Sequence, residues 1–152
     1  MAIGVQDVFD QVESHALASG WFERVNTHEP KRNPGNGLTA AVWIQRVAPV
    51  PAGSGLAATT GRLELRTRIY SNMLQEPQDA IDPNILVAVD DLLDRYSGDF
   101  TLGGRVRNVD LLGAHGEGLG AIAGYVNIDG AMHRVMDIVL PLIINDIWSQ
   151  SE

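Results

Sequence analysis

The residues that could carry acid–base or metal chemistry in this chain are its four histidines. His28 is followed directly by Glu29, and both lie in a segment beside Lys31 and Arg32 that is rich in Asn, Pro and Gly. No second histidine stands at the i+4 spacing that zinc-binding helices use. A solvated loop pair is therefore the favoured interpretation of His28 and Glu29, and a small enzyme using this pair stays an alternative.

The other histidines occupy positions that favour structural or interface roles. His15 lies at the edge of the apolar stripe of a predicted helix, and His115 lies in the glycine-rich segment 113–120. His133 and Asp137 share one face of a predicted strand, about two pleats apart. This spacing is more typical of a surface or interface pair than of a catalytic dyad.

No sequence motif predicts a cofactor, a metal or a catalytic nucleophile. Residues 118–123 match the G-x-G-x-x-G/A pattern, but a strand follows them where a dinucleotide-binding turn requires a helix. The chain contains no P-loop, nucleophile-elbow or H-E-x-x-H pattern. Cysteine is also absent, so disulfides and thiolate ligands are excluded. We therefore expect a protein that is not an enzyme and has no cofactor.

Composition and charge narrow the class of partner. The chain has 152 residues, of which 45% are hydrophobic, and its 11 basic and 19 acidic residues give a net charge of −8. A protein that binds the phosphate groups of nucleic acids normally carries a patch of basic residues, and the sequence shows none. Specific nucleic-acid binding and docking on anionic membranes are disfavoured. The N-terminus lacks the basic start and apolar run of a signal peptide, and no apolar run is long enough for a transmembrane helix.

The periodicity of apolar residues predicts two helices. An apolar stripe runs from Val5 to Ala16 at helical spacing, and Gly20 is a natural stop. A second stripe runs from Ile85 to Tyr96, with Asp82 as the predicted N-cap and Pro83 as the first helical residue.

The remaining patterns predict strands. Segments 21–25, 38–47, 105–112, 121–128 and 131–144 are predicted strands, and 61–73 alternates apolar and charged residues without a slip. Asp129 and Gly130 predict a two-residue hairpin between the last two strands. Strands that cluster in this way favour an α+β fold. We expect one domain over residues 1–152, with a mainly antiparallel or mixed sheet and two helices packed on one of its faces.

Four stretches of the chain resemble a known class of virion protein. They are VQDVFDQVESHALASGWFERVNTHEPKRNPGNGLTAAVW, SNMLQEPQDAIDPNI, YSGDFTLGGRVRNVDLLGAHG and AGYVNIDGAMHRVMDIVLPLIINDIW. Together they resemble tail terminator proteins of long-tailed phages (siphophages) that infect actinobacteria, over residues 4–148. These proteins are similar in role to the lambda tail terminator.

The resemblance implies a structural role in the virion. It implies an α+β subunit that forms a homo-oligomeric ring, a hexamer, at the junction of tail and neck after assembly in the host cytoplasm. The ring would cap the tail tube protein, end tail polymerisation and offer a joining surface to the head-side connector protein. DNA would pass through the channel without specific binding. Another head–tail connector or neck ring, such as a head-completion or stopper protein, is the alternative.

The resemblance assigns no role to single residues, so the interface candidates come from the loops and from residue type. Arg and Trp side chains often contribute a large share of the binding energy at protein interfaces. Segments 26–37 and 48–60 are predicted to make ring and tube contacts, with four anchors: Arg24, His28, Arg32 and Trp43. For Trp43, packing in the core is an equal alternative. His115 is a further candidate. The arginines of the alternating strand, Arg62, Arg66 and Arg68, form either a solvated outer face or a face that pairs with acids of a neighbouring subunit.

Overall fold

The computed structural model describes residues 4–22, 24–26, 38–50, 58–72, 81–114, 116–128 and 130–149. Helix α1 spans Val5–Ser19 and buries the predicted stripe, including Val8, Val12 and Ala16. It ends where Gly20 takes a left-handed φ of 75°, and the amide of Gly20 donates to the carbonyl of Leu17 at 3.3 Å. The sequence prediction of this helix and of its glycine stop is confirmed.

Helix α2 spans Ile81–Gly98, and its buried stripe includes Ile85, Leu92 and Tyr96 as predicted. The predicted cap position is wrong, because Asp82 lies inside the first turn of the helix. An acidic side chain is favourable there because it faces the positive end of the helix dipole. Within the described residues, neither helix is long and apolar enough to span a lipid bilayer.

Within the described ranges, six strands form one sheet. They are β1 (Arg24–Asn26), β2 (Thr39–Pro49), β3 (Ala58–Asn72), β4 (Asn108–Val109), β5 (Gly120–Ile128) and β6 (Ala131–Ser149). The strand order is β1-β2-β3-β6-β4, and β5 pairs with β6 beside the short β4. Only the three-residue contact between β1 and β2 is parallel. The other five strands are joined by antiparallel pairing, which confirms the mainly antiparallel sheet.

The predicted hairpin is confirmed, whereas one predicted strand is wrong. Ile128 pairs with Ala131, and Gly130 has a φ of 81°, as a two-residue turn requires. Segment 105–112, predicted as a strand, keeps only the two residues of β4. Turns flank β4 instead, with positive φ values at Leu102, Gly103 and Gly104 before it and at Gly113 after it.

The two faces of the sheet have different surroundings. Leu63, Leu65 and Ile69 of β3 are buried in the main core with the apolar stripes of both helices. The intervening residues of β3, from Arg62 to Tyr70, face the opposite side. Both helices therefore pack on one face of a single small α+β domain, as the sequence predicts.

Candidate functional site: the charged face of the sheet

The sheet face opposite the helices carries four arginines, and we call it the charged face. Arg62, Arg66 and Arg68 come from β3, where every second side chain points to this side. Arg46 of β2 joins them because it lies directly opposite Glu64 in the register of the two strands. Cross-strand partners share a face. The strand alternation that the sequence shows therefore places these side chains together.

Asp137 of β6 lies directly opposite Arg68 and binds two arginines. Arg68 donates to both carboxylate oxygens, from Nε at 2.5 Å and from Nη2 at 2.9 Å. Arg66 Nη1 donates to Oδ2 of the same carboxylate at 3.1 Å. This hydrogen bonding raises the pKa of Arg68, although burial opposes it. The two guanidinium groups share one carboxylate, so the cluster carries one net positive charge.

Aromatic rings support this cluster. The guanidinium carbon of Arg68 lies 5.2 Å from the ring centre of Trp43 and 5.9 Å from that of Tyr70. Rings at these distances attract a cation through their quadrupoles. Trp43 is half-buried and packs against a small cluster of buried residues that includes Tyr70 and Val135. Trp43 thus contacts both the apolar cluster and the charged face.

Arg62 is almost fully buried and connects β3 to the glycine-rich segment. Its guanidinium pairs with Glu64, lies 3.6 Å from the Asp110 carboxylate and donates to the carbonyl of Glu117. A Cβ atom on Gly116 would lie 2.8 Å from the guanidinium carbon, and Gly116 has a φ of 152°, so a larger residue there would displace Arg62 and strain the backbone. Arg62 therefore holds residues 116–118 against the sheet rather than presenting a free charge to a partner.

A cavity of about 240 Å³ opens on the charged face beside Arg62. It is lined by side chains of both signs, including Arg46, Glu64 and Glu117. Arg46 is exposed, and no carboxylate lies within ion-pair distance of it among the residues that the structure describes. Arg46 is thus a cation available to a partner, which the sequence alone does not distinguish from its neighbours.

The two histidines within the described residues, His15 and His133, have structural positions. His15 Nε2 lies 2.8 Å from Asp99 Oδ2 and so ties α1 to the turn after α2. His133 lies on the same sheet face as Asp137, as predicted, but it is fully buried rather than at the surface, with its ring 6.3 Å from that of Tyr70. Asp137 is bound by arginines. In the described part of the chain, no group of three His, Asp or Glu residues could hold a metal ion.

Several predicted interface residues lie outside the described residues. They are His28 and Arg32 in segment 26–37, and His115 in the glycine-rich segment. For Arg24 the structure describes the backbone, which lies in β1 opposite Thr39. Of segment 48–60, the two ends belong to β2 and β3, and Val50 donates from its amide to the carbonyl of Thr60 at 2.8 Å.

Asp110 and Asp137 are site residues that sequence reasoning did not single out as partners of the arginines. The sequence did contain a sign of this pairing, because Asp137 interrupts the apolar run of β6 and a carboxylate among buried residues requires a partner.

Comparison of the sequence with models of known protein families finds no match, and a search of curated proteins finds no significant match.

Proposed function

We propose that this chain is the subunit of a ring that caps the tail tube of a long-tailed phage. The ring ends tail polymerisation and provides the surface to which the head-side connector joins. The proposal starts from the resemblance of residues 4–148 to tail terminators. The structural observation that carries it is the open edge of strand β5.

Strand β5 presents an uncharged and unprotected edge. Within the described residues it pairs only with β6, so its outer backbone groups face away from the sheet. Its sequence, GAIAGYVNI, has no charge and no proline. Ile122 is 63% exposed on the charged face, and Tyr125 is 60% exposed on the other face. An edge of this kind is a template for pairing with another chain.

The outer edge of β2, at the other side of the sheet, differs from the edge of β5. Beyond its short contact with β1, the outer edge of β2 has the features that normally block edge pairing. A register shift lies between Ile44 and Arg46, Arg46 adds a charge, and Pro49 has no amide hydrogen to donate. The difference between the two edges favours β5 as the strand that meets a neighbouring ring subunit or the tube.

Apolar exposure next to β5 extends this surface. Leu112, between β4 and β5, is 97% exposed, and Met132 at the start of β6 is about half exposed. Together with Ile122 and Tyr125, these side chains form an exposed apolar region that runs along β5 from its start to the hairpin, on both faces of the sheet. Such regions in soluble proteins commonly mark protein–protein contacts. Assembly into a ring on the tube would bury it.

The experiment is a disruption of the gene in the phage, followed by electron microscopy of the tails. Loss of a terminator gives tubes of uncontrolled length, whereas loss of another neck ring leaves tails of normal length without heads. The wild-type gene supplied in trans should restore tail length, and Ile122→Glu with Tyr125→Glu should not. Val47→Glu is the matched control, because Val47 is an exposed apolar residue of β2, which β3 and β6 separate from β5 in the sheet. Tails of normal length after disruption would refute the proposal.

A further inference from the structure

The outer edge of β5 is regular along its whole length, which sets it apart from the outer edge of β2. All nine residues of β5 pair with β6 without a register shift, whereas the pairing of β2 with β3 shifts between Ile44 and Arg46. In an antiparallel ladder, every second residue points its backbone N–H and C=O groups away from the paired strand. Within the described residues, no strand receives these groups of β5. The edge therefore has the geometry to pair with another regular strand.

Among the described strands, a second copy of β5 is the one that can supply such an edge, because β3 and β6 are already paired on both sides. The strand is also complementary to itself when the second copy lies antiparallel. With Gly124 opposite Gly124 of the second copy, Ile122 lies opposite Val126 and Ala123 lies opposite Tyr125. The first pair is on the charged face and the second is on the helix side. Each face of the seam thus receives a large side chain opposite a smaller one, with no charge between them.

The lack of charge on β5 matters because the two copies repel each other at long range, each with a net charge of −8. A contact through β5 brings no like charges face to face, since its sequence contains no charged residue. Salt screens the charges elsewhere on the two copies over about 8 Å at physiological ionic strength. Association through β5 should therefore become stronger as salt rises, whereas a contact made of ion pairs should become weaker.

We infer that the free chain pairs with a second copy of itself through β5, in a twofold dimer whose axis passes beside Gly124. Such a contact is isologous and closed, because both copies use the same surface and none is left over for a third. Covering an edge strand is one way in which proteins prevent unwanted pairing. A ring with a tube side and a head side has no twofold axis of this kind. The inference rests on the proposed function in one respect, which is that the dimer must open before β5 meets the tube or a ring neighbour.

The test places charges at Gly124, on the axis of the dimer. The fold accepts a side chain there, because the φ of Gly124 lies outside the left-handed region and a Cβ atom would meet only a methyl group of Val135, at 3.8 Å. In the dimer, the new side chain meets its own copy. Gly124→Glu and Gly124→Lys should each weaken dimerisation about tenfold in sedimentation velocity, because two like charges then face each other. An equimolar mixture of the two variants should restore the dimer, because opposite charges then meet.

A single cysteine gives a second readout that does not depend on charge. The natural chain contains no cysteine, so Gly124→Cys carries one thiol in each copy. Residues directly opposite each other in antiparallel strands have Cα atoms about 4.5–5.5 Å apart, a separation that a disulfide spans. Mild oxidation should therefore cross-link Gly124→Cys into a dimer on a non-reducing gel. Val47→Cys is the matched control and should stay monomeric, because Val47 is exposed on β2, away from β5.

Several results would overturn the inference. They are a wild-type chain that stays monomeric or closes into a ring without tubes, association that weakens as salt rises, a mixture of the two charge variants that stays dissociated, and equal cross-linking of Gly124→Cys and Val47→Cys. If any of these occurs while the wild-type gene restores tail length in the disrupted phage, the dimer is wrong and the proposed function stands. Tails of normal length after disruption would refute the proposed function, and the dimer would still be decided in solution.

Discussion

The carboxylate of Asp137 should be a principal stabilising group of the charged face. The substitution Asp137→Asn keeps the shape of the side chain and removes its charge. Arg66 and Arg68 would then lie close together without a counter-ion, with 27% and 16% of their side chains exposed. An amide also offers one acceptor oxygen in place of two, so the two-pronged contact with Arg68 is lost.

The expected loss of stability follows from the degree of burial. Removing one partner of a fully buried ion pair costs about 3–5 kcal/mol. The Asp137 cluster is partly open to water, which screens the remaining charges, so we expect about 2–3 kcal/mol. For a domain of this size each kcal/mol shifts Tm by about 2–4 °C. The variant should therefore melt about 5–10 °C below the wild type.

Thermal and urea unfolding followed by circular dichroism would measure this change. Asp94→Asn is the matched control, because it removes the same charge from an exposed helix position and should change stability by less than about 0.5 kcal/mol. High salt should narrow the gap between Asp137→Asn and the wild type only slightly, since partly buried charges are screened weakly. Equal melting of the two variants would refute a stabilising role for Asp137.

Three further predictions concern the helix layer and the glycine-rich segment. Burial acts to raise the pKa of Asp99, but hydrogen bonds from His15, Gln11 and the amide of Gly103 outweigh it and lower that pKa below the usual 3.8. The free energy of unfolding should therefore fall as the pH drops through the folded-state pKa, and Asp99→Asn should flatten this loss in acid unfolding curves. Burial raises the pKa of Tyr96 from 10.0 to about 12, so the tyrosine loses its proton at a lower pH in the unfolded chain than in the folded one. The free energy of unfolding should therefore decline above about pH 10, and it should decline less in Tyr96→Phe. Gly113→Ala should destabilise the protein more than Gly20→Ala in urea titrations. Both glycines have a positive φ, but only at Gly113 would a Cβ atom clash with a backbone oxygen, that of Gly116; equal costs would contradict this reasoning.

Local patterns were enough to predict most of the fold. The alternation in β3 has period two without a slip, so the sequence separates Leu63 and Leu65 on the core side from Arg62 and Arg66 on the other. The prediction of a strand over 105–112 is wrong because its apolar residues suit a strand, whereas the positive φ values at Leu102–Gly104 turn the chain just before it. A local pattern cannot show how a preceding turn sets the direction of the chain.

The candidate site was predictable only in part. The three arginines of β3 were expected to share a face, and they do. Their carboxylate partner could not be predicted, because Asp137 is 69 residues from Arg68 and meets it only through the register of β3 with β6. The sequence left a solvated face and an intersubunit face as alternatives, and the structure shows that much of this charge is paired within the chain.

The most direct test of the proposed function is electron microscopy of the purified chain mixed with tail tubes, with the native mass measured by light scattering on the same sample. The account predicts a closed ring on one end of each tube, with a central channel wide enough for duplex DNA. A mass that corresponds to six subunits would agree with the resemblance. Tubes with bare ends, in a sample where the chain stays monomeric, would contradict the account.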